Sequence, residues 1–294
     1  MQKIVRKLLF IIIVILFIGN AHAQRLYFHI DGGAVNYGGD LQDKLITLNQ
    51  ANSFFGFGAH YKISGIFSAE ASVSAGKLAA SDAKSKTETF RRNLSFYSNL
   101  TEGSLTLHAN LRDVPYNAKF TPYVMAGLAV YHYAPYAYTI KGQKVYLQPL
   151  GTEGQGLSQY LDRHSYNLTQ IALPFGGGLK YAITNNFIVS AEISFRKLFT
   201  DYLDDVSSLR YADTALLRAS RGDLAAKMSF RSDETTNPLN FNAPIQRGNP
   251  AKKDAYYSLL LKLYIGLDGL FGSNNNNGYS KRMRKQSSCP PKVQ

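Results

Sequence analysis

Phe187-Ile188-Val189-Ser190-Ala191-Glu192-Ile193-Ser194-Phe195-Arg196 contains two interleaved patterns. Phe187, Val189, Ala191, Ile193 and Phe195 form an apolar set, and Ser190, Glu192, Ser194 and Arg196 form a polar one. Successive side chains of a β-strand point to opposite sides, so the two sets lie on opposite faces of a strand. A strand in a barrel wall within a bilayer needs that division, with lipid on one side and an enclosed polar interior on the other. A soluble barrel would show the same alternation with its apolar face turned inward. The charges decide between the two: Glu192 and Arg196 share a face, and Glu70, Glu102, Lys180 and Lys262 fall on the polar faces of other alternating segments. Enclosed together they can pair, whereas in hydrocarbon a basic residue costs about 2–4 kcal/mol at the midplane.

The same alternation recurs outward from this stretch. It predicts strands over residues 27–37, 54–63, 66–76, 98–111, 120–138, 168–183, 187–199 and 255–267, most of them near the roughly 9–11 residues that a tilted strand needs to cross a bilayer. The gaps between them run long, short, long, short. Ser64-Gly65, residues 112–119 and Thr184-Asn185-Asn186 are the short ones, and Gly and Asn suit tight turns. The third long loop runs from Thr139 to Asn167, and the fourth occupies residues 200–254. An even number of strands returns the chain to the side it left, and short turns mark that side as the periplasm. The fold class read from this pattern is all-β: an eight-stranded antiparallel transmembrane β-barrel over residues 24–267, with long extracellular loops and a flexible periplasmic C-terminal tail over residues 268–294.

The leader sets the compartment. Lys3, Arg6 and Lys7 precede an apolar core over residues 8–18, and Ala21-His22-Ala23 supplies a small-x-small cleavage site. Residues 1–23 therefore read as a signal peptide, with Gln24 first in the mature chain. The apolar run is shorter than the roughly 18 residues a spanning helix requires. Membrane residence then rests on strands, and a closed barrel satisfies its own backbone hydrogen bonds in lipid. The 20 Tyr and 17 Phe among 294 residues suit the aromatic girdles of such a barrel, although a secreted all-β domain could carry the same composition.

Several motifs point away from chemistry. Phe175-Gly176-Gly177-Gly178 lacks the following helix and the Lys-Ser/Thr of a phosphate-binding loop, and glycine within a strand more often relieves crowding. Asp201, Asp204 and Asp205 cluster as calcium ligands do, but without the Gly and Glu of an EF-hand they read as loop caps or solvated charge. His29, His60, His108 and His132 lie on strands with no Ser at the next position of the same face, and His164-Ser165 falls in a loop. Barrel hydrolases need a base beside a hydroxyl nucleophile, so the expectation is no enzyme, no cofactor and no metal.

Beyond the last strand an Asn-rich linker, residues 272–278, leads to Lys281, Arg282, Met283, Arg284 and Lys285, then Cys289-Pro290-Pro291. Lys281, Arg282, Arg284 and Lys285 suit an anionic lipid or acidic protein surface, nucleic acid not being a periplasmic partner. They also suit a tail that is simply solvated. Cys289 has no intramolecular mate, and in an oxidising compartment that suggests an intermolecular disulfide to a partner, with a free or lipid-adjacent thiol as the alternative.

Asn36-Tyr37-Gly38-Gly39-Asp40-Leu41, Phe120-Thr121-Pro122-Tyr123-Val124-Met125-Ala126-Gly127, Leu147-Gln148-Pro149-Leu150-Gly151-Thr152-Glu153-Gly154-Gln155-Gly156, Ile171-Ala172-Leu173-Pro174-Phe175-Gly176-Gly177-Gly178 and Phe199-Thr200-Asp201-Tyr202-Leu203-Asp204-Asp205-Val206 occur in this order along the mature chain. Together, and with a Cys-Pro pair after a basic tail, the chain resembles the PorG-like outer-membrane β-barrel proteins of the Bacteroidetes type IX secretion system. The long fourth loop and the residues after Cys289 depart from the simplest form of that pattern. The resemblance implies a non-enzymatic barrel that anchors a periplasmic ring, built from a lipoprotein and its associated secretion-system subunits, to the outer membrane for secretion or gliding. The alternative is a free-standing OmpA-like surface barrel whose loops bind lipopolysaccharide, ions or host molecules. A lipid-modifying enzyme is the third class.

Overall fold

The computed structural model describes residues 26–42, 47, 49–85, 87–240 and 246–267. The signal-peptide reading and the tail, with Lys281, Arg282, Arg284, Lys285 and Cys289, lie outside the described residues.

Nine strands form: β1 Leu26–Gly38, β2 Asn52–Lys62, β3 Phe67–Ser81, β4 Ser95–Asn110, β5 Phe120–Tyr138, β6 Lys144–Tyr146, β7 Thr169–Ala182, β8 Phe187–Leu198 and β9 Ala255–Gly266. All but β6 make the wall, each pairing antiparallel with its neighbours. The pairing of β1 with β9, from Tyr27↔Gly266 to Gly38↔Ala255, closes the eight-stranded barrel. The short β6 adds to the end of β5 beyond the wall, Tyr136 opposite Tyr146.

One rim is built from turns. Ile63 and Ser64 both donate their N–H to the Phe67 carbonyl, at 3.0 and 2.9 Å, and the Ser64 hydroxyl accepts the N–H of Phe67 at 2.9 Å. Thr184 repeats the device, its hydroxyl accepting from the N–H groups of Asn186 and Phe187 at 3.2 and 3.1 Å. A hydroxyl that takes up turn amides lets the chain reverse without orphaned donors. Leu26 and Leu267 stand at this same rim, as an even number of wall strands dictates.

The side chains show which solvent the wall faces. Leu261 is 71% exposed while its neighbour Lys262 is 6% exposed, and the same inversion sets Leu105, Leu128 and Ile171 outside and Glu70, Glu102 and Arg196 inside. An apolar exterior around buried charge is the arrangement of a transmembrane barrel, the reverse of a soluble one. Among the described residues no helix is long and apolar enough to cross a membrane.

Towards the loop rim the inward chemistry changes. Leu78, Phe54, Phe96, Tyr131 and Tyr133 are fully buried there and form one core with Leu203 and Val206 of the last long loop. This accounts for the boundary of β3, expected to end at residue 76 and continuing to Ser81. The polar inward face gives way to Leu78 and Ala80, so the signal fades while the strand goes on. The fourth long loop holds helices α1 Thr214–Arg221 and α2 Asp223–Ser229. Asp213 caps α1 by accepting the N–H groups of Ala215 and Leu216 at 2.7 and 3.1 Å.

Candidate functional site

Inward-facing positions of β1, β2, β3, β4, β7, β8 and β9 bring ionisable groups together in the lumen. Glu70 of β3 accepts from Lys262 Nζ at 2.7 Å and from Tyr264 at 3.1 Å, and lies 3.0 Å from His60 Nδ1. Lys262 also pairs with Glu192 at 3.0 Å, which accepts from the Tyr123 hydroxyl at 2.7 Å. Lys180 donates to Asn110 Oδ1 at 3.1 Å and stands over the Tyr123 ring. A second layer sits nearer the loop rim. Arg196 holds Glu102 in a two-pronged pair at 3.0 and 3.2 Å and donates to Ser258 at 2.6 Å, while Tyr256 donates to the same carboxylate. Fixed fork geometry makes such an Arg–carboxylate pair directional as well as strong. The residues expected to line a salt-bridged interior, Glu70, Glu102, Lys180, Glu192, Arg196 and Lys262, all do so.

The histidines that look scattered in sequence converge. His60, Glu70 and His108 bring ligand-type atoms within 4.8 Å of one another, and His29 Nε2 lies 3.7 Å from Glu70. Glu70, however, already has Lys262 as its counter-ion, and a divalent cation there would meet both Lys262 and Lys180. The chemistry of the donor set is that of a packed ion-pair network. Ser72 Oγ lies 3.2 Å from His29 Nε2, and Asp31 Oδ2 lies 3.2 Å from Nδ1. Ser72 sits two strands from His29, reaching it over Gly58 of the intervening β2, a relation that the same-face comparison along single strands could not see. These are the parts of a hydroxyl relay, but the hydroxyl faces a filled lumen, and the groove of about 710 Å³ bordered by Ile30, Leu179, Val189, Leu261 and Leu263 lies on the outer wall.

Gly178 belongs to the wall. A Cβ there would lie 2.2 Å from the Ala191 carbonyl and 2.9 Å from the Tyr123 hydroxyl, so the glycine lets Tyr123 pass over β7 to Glu192 on β8. Crowding, as expected, is the reason for the run.

The loops form the second constellation, a cap over the barrel. Arg92 pairs with Asp82 at 2.8 Å and donates to the carbonyls of Asp40 and Arg247 at 2.8 and 2.5 Å. Arg247 in turn pairs with Glu153, which accepts the N–H groups of Ser207 and Ser208 at 3.0 and 2.9 Å. Asp205, held at φ +67°, accepts the Tyr166 hydroxyl at 2.6 Å and that of Thr152 at 2.5 Å. The Tyr37 hydroxyl stands between Asp204 Oδ2 at 2.5 Å and Asp254 Oδ1 at 3.0 Å. The solvated-charge reading of Asp201, Asp204 and Asp205 is corrected here: all three are buried at 3% exposure or less, because aromatic and aliphatic loop residues fold over them. The capping reading fits, since Asp204 Oδ1 accepts the Val206 N–H at 2.9 Å. Burial drives the acid constants up. Asp204 and Asp254 stand well above the ordinary carboxyl range, through desolvation first and then their acidic neighbours. Desolvation pushes Asp201 up to about 7. Asp205 is raised to about 6, desolvation outweighing the nearby Arg247.

With the wall, lumen and cap in place, comparison with known proteins gives a family. The sequence matches, over residues 6–221, the family described as Domain of unknown function (DUF6089). The chain belongs to the DUF6089 family. No curated protein matches the sequence. Among solved structures this DUF6089 member is similar to Ail, the attachment invasion locus protein of Yersinia pestis, solved with the heparin analogue sucrose octasulfate, at 10% identity and TM-score 0.39, covering 82% of this chain and 97% of that one. Neisserial surface protein A matches at 10% identity and TM-score 0.43 with the same coverage. The N-terminal β-barrel domain of Pseudomonas aeruginosa OprF matches at 13% identity and TM-score 0.33, covering 81% and 97%. The fold assignment stands on the strand pairing and face chemistry above.

Proposed function

We propose that this DUF6089 protein is a non-enzymatic outer-membrane barrel that serves as a membrane-embedded anchor rather than a conduit. The observation that carries the reading is the filled lumen inside an apolar wall. The layers around Glu70 and Glu102 occupy the bore, and aromatic side chains from Tyr37 to Tyr256 close it beneath the cap. A leader of secretory type and strands as the membrane-crossing element fit the outer membrane. The turn rim, where both ends of the wall lie, faces the periplasm in this reading.

The partner we propose is the periplasmic ring of a type IX secretion or gliding machinery, a lipoprotein with its associated subunits. The support is the PorG-like order of motifs together with Lys281, Arg282, Arg284, Lys285 and Cys289, which follow the last strand in the sequence. Deleting residues 273–294 tests it. Loss of cargo secretion from cells in which the truncated barrel is still inserted is expected, and unchanged secretion would reject the anchor. Non-reducing gels of native envelopes, comparing the protein with its Cys289→Ser variant, test the intermolecular disulfide.

A second reading is favoured by the cap. Long loops with buried ion pairs and two helices form an ordered outer surface, as a free-standing surface barrel that binds lipopolysaccharide, ions or host molecules would require. If the tail deletion is silent while deletion of residues 210–230 abolishes binding to cells or lipopolysaccharide, this reading replaces the first.

A further inference from the structure

On the outer wall the apolar belt stops short of the loop rim. Val73, Val130 and Ile171 are its exposed edge, and the next outward row towards the loops, Ala75, Thr101, His132 and Thr169, is already mostly polar. Beyond that row stands a cluster of four tyrosines and two lysines. Tyr97 stacks on Tyr136 with ring centroids 5.7 Å apart, and Tyr138 and Tyr146 meet Tyr136 edge-on at 5.8 and 5.9 Å. Tyr136 points outward yet is 4% exposed, because these neighbours cover it. Lys77 Nζ lies 4.8 Å from the centroid of Tyr97, and Lys144 Nζ lies 3.9 Å from that of Tyr136 and 4.8 Å from that of Tyr146. Lys77 is also 5.8 Å from the Tyr136 centroid, so one ring carries both ammonium groups. The short β6 is what brings Lys144 and Tyr146 onto the wall, opposite Tyr138 and Tyr136.

Among the described residues neither lysine forms an ion pair, whereas Lys62 and Lys227 have Asp113 and Asp223. The outward positions of β3, β4, β5 and β6 hold no carboxylate. Contact with a ring face orients an ammonium group without cancelling its charge. Two positive charges held above a hydrocarbon-facing belt, among tyrosines at headgroup level, complement an amphiphile with a compact anionic group and chains that run down the belt. We propose that Lys77 and Lys144, set by the tyrosine cluster, form a site on the outer wall for the phosphate of an outer-leaflet lipopolysaccharide molecule. A phosphate monoester carries about −1.5 to −2 charges at neutral pH and so matches two ammonium groups, whereas the diester of a phospholipid carries one negative charge and leaves one lysine unmatched. Lysine serves such an oxyanion as a point charge. The choice of lipid rests on the proposed reading of the turn rim as periplasmic, which puts the loop rim in the outer leaflet. It holds for an anchor and for a free-standing surface barrel alike.

Native mass spectrometry of the full protein, released from detergent micelles, tests the site by the lipid that stays bound. The probes are lipid A, lipid A stripped of its phosphates, and phosphatidylglycerol. Lipid A should be retained at least fivefold more strongly than either of the others. Lys77→Gln and Lys144→Gln together should erase that preference, and Lys119→Gln, exposed at the opposite rim, should leave it intact. Heat-modifiable gel migration confirms that each variant is still a barrel; should the double variant fail that check, the two forms of lipid A on the unaltered protein still decide. Equal retention of those two forms, a preference that survives both substitutions, or phosphatidylglycerol held as tightly as lipid A would overturn the site. Displacement of lipid A by millimolar inorganic phosphate would overturn the lipid as its occupant. Labelling of a Lys141→Cys variant by an impermeant maleimide on intact cells reads the orientation separately, so a barrel labelled from outside that shows no preference for lipid A loses this site alone.

Discussion

Arg196 shows how much a single lumen residue carries. It is buried at 5% exposure and satisfies both oxygens of Glu102. Removing one partner of a buried pair leaves the other charge stranded, which costs about 3–5 kcal/mol. Arg196→Met should therefore lower barrel stability by about that amount in urea unfolding from lipid, and adding Glu102→Gln should recover most of the loss. Asp201 gives a prediction of opposite character. Its acid constant in the folded protein, about 7, lies above the ordinary 3.8, so between those values the folded state holds a proton that the unfolded chain does not. The resulting stabilisation is fully present below pH 4 and is lost as pH rises through 7. Hydrogen exchange of residues 203–208, corrected for intrinsic rates, should be faster at pH 8 than at pH 5; equal protection at both would refute it. Of these two residues, the lumen role of Arg196 was legible from its place in an alternating run. Asp201 read as a loop cap or solvated charge, because burial beneath other loops leaves no local mark in the sequence.

At the scale of the element, face chemistry decides both boundaries and tolerance. Leu128, near the middle of β5, is 61% exposed to the lipid side. Leu128→Arg should destabilise the barrel by about 2–4 kcal/mol if that surface faces hydrocarbon. A cost near zero in bilayer-based unfolding would mean the wall is wet. All eight wall strands were legible because period-two alternation is a local signal. The short β6, α1 and α2 were not. A three-residue strand carries too little pattern, and helices of eight and seven residues are set by tertiary packing of Leu217 against Ala212 and Ala226 more than by propensity.

For the whole molecule, closure and filling of the barrel set what it can do. Two ionic layers and an aromatic lid occupy the bore among the described residues, so planar bilayers containing the protein should show no steady ion conductance. A stable open channel would sink the anchor reading, since it requires the Glu70 and Glu102 networks to be displaced. The cap lies at the loop rim and β9 ends at the turn rim, so deletions in the cap and deletion of residues 273–294 probe separate parts of the chain.

The sequence by itself determined the fold class, the number of wall strands and the facing of the wall, because apolar and polar residues on alternate positions are a property of neighbours along one strand. Only the tertiary structure decided which charges meet. Glu70 with Lys262, Arg196 with Glu102, and Tyr37 between Asp204 and Asp254 join residues far apart in the chain. Such partners are chosen by strand register, by closure of β1 on β9 and by the folding of loops over the rim, and none of these leaves a periodic trace in the residues themselves.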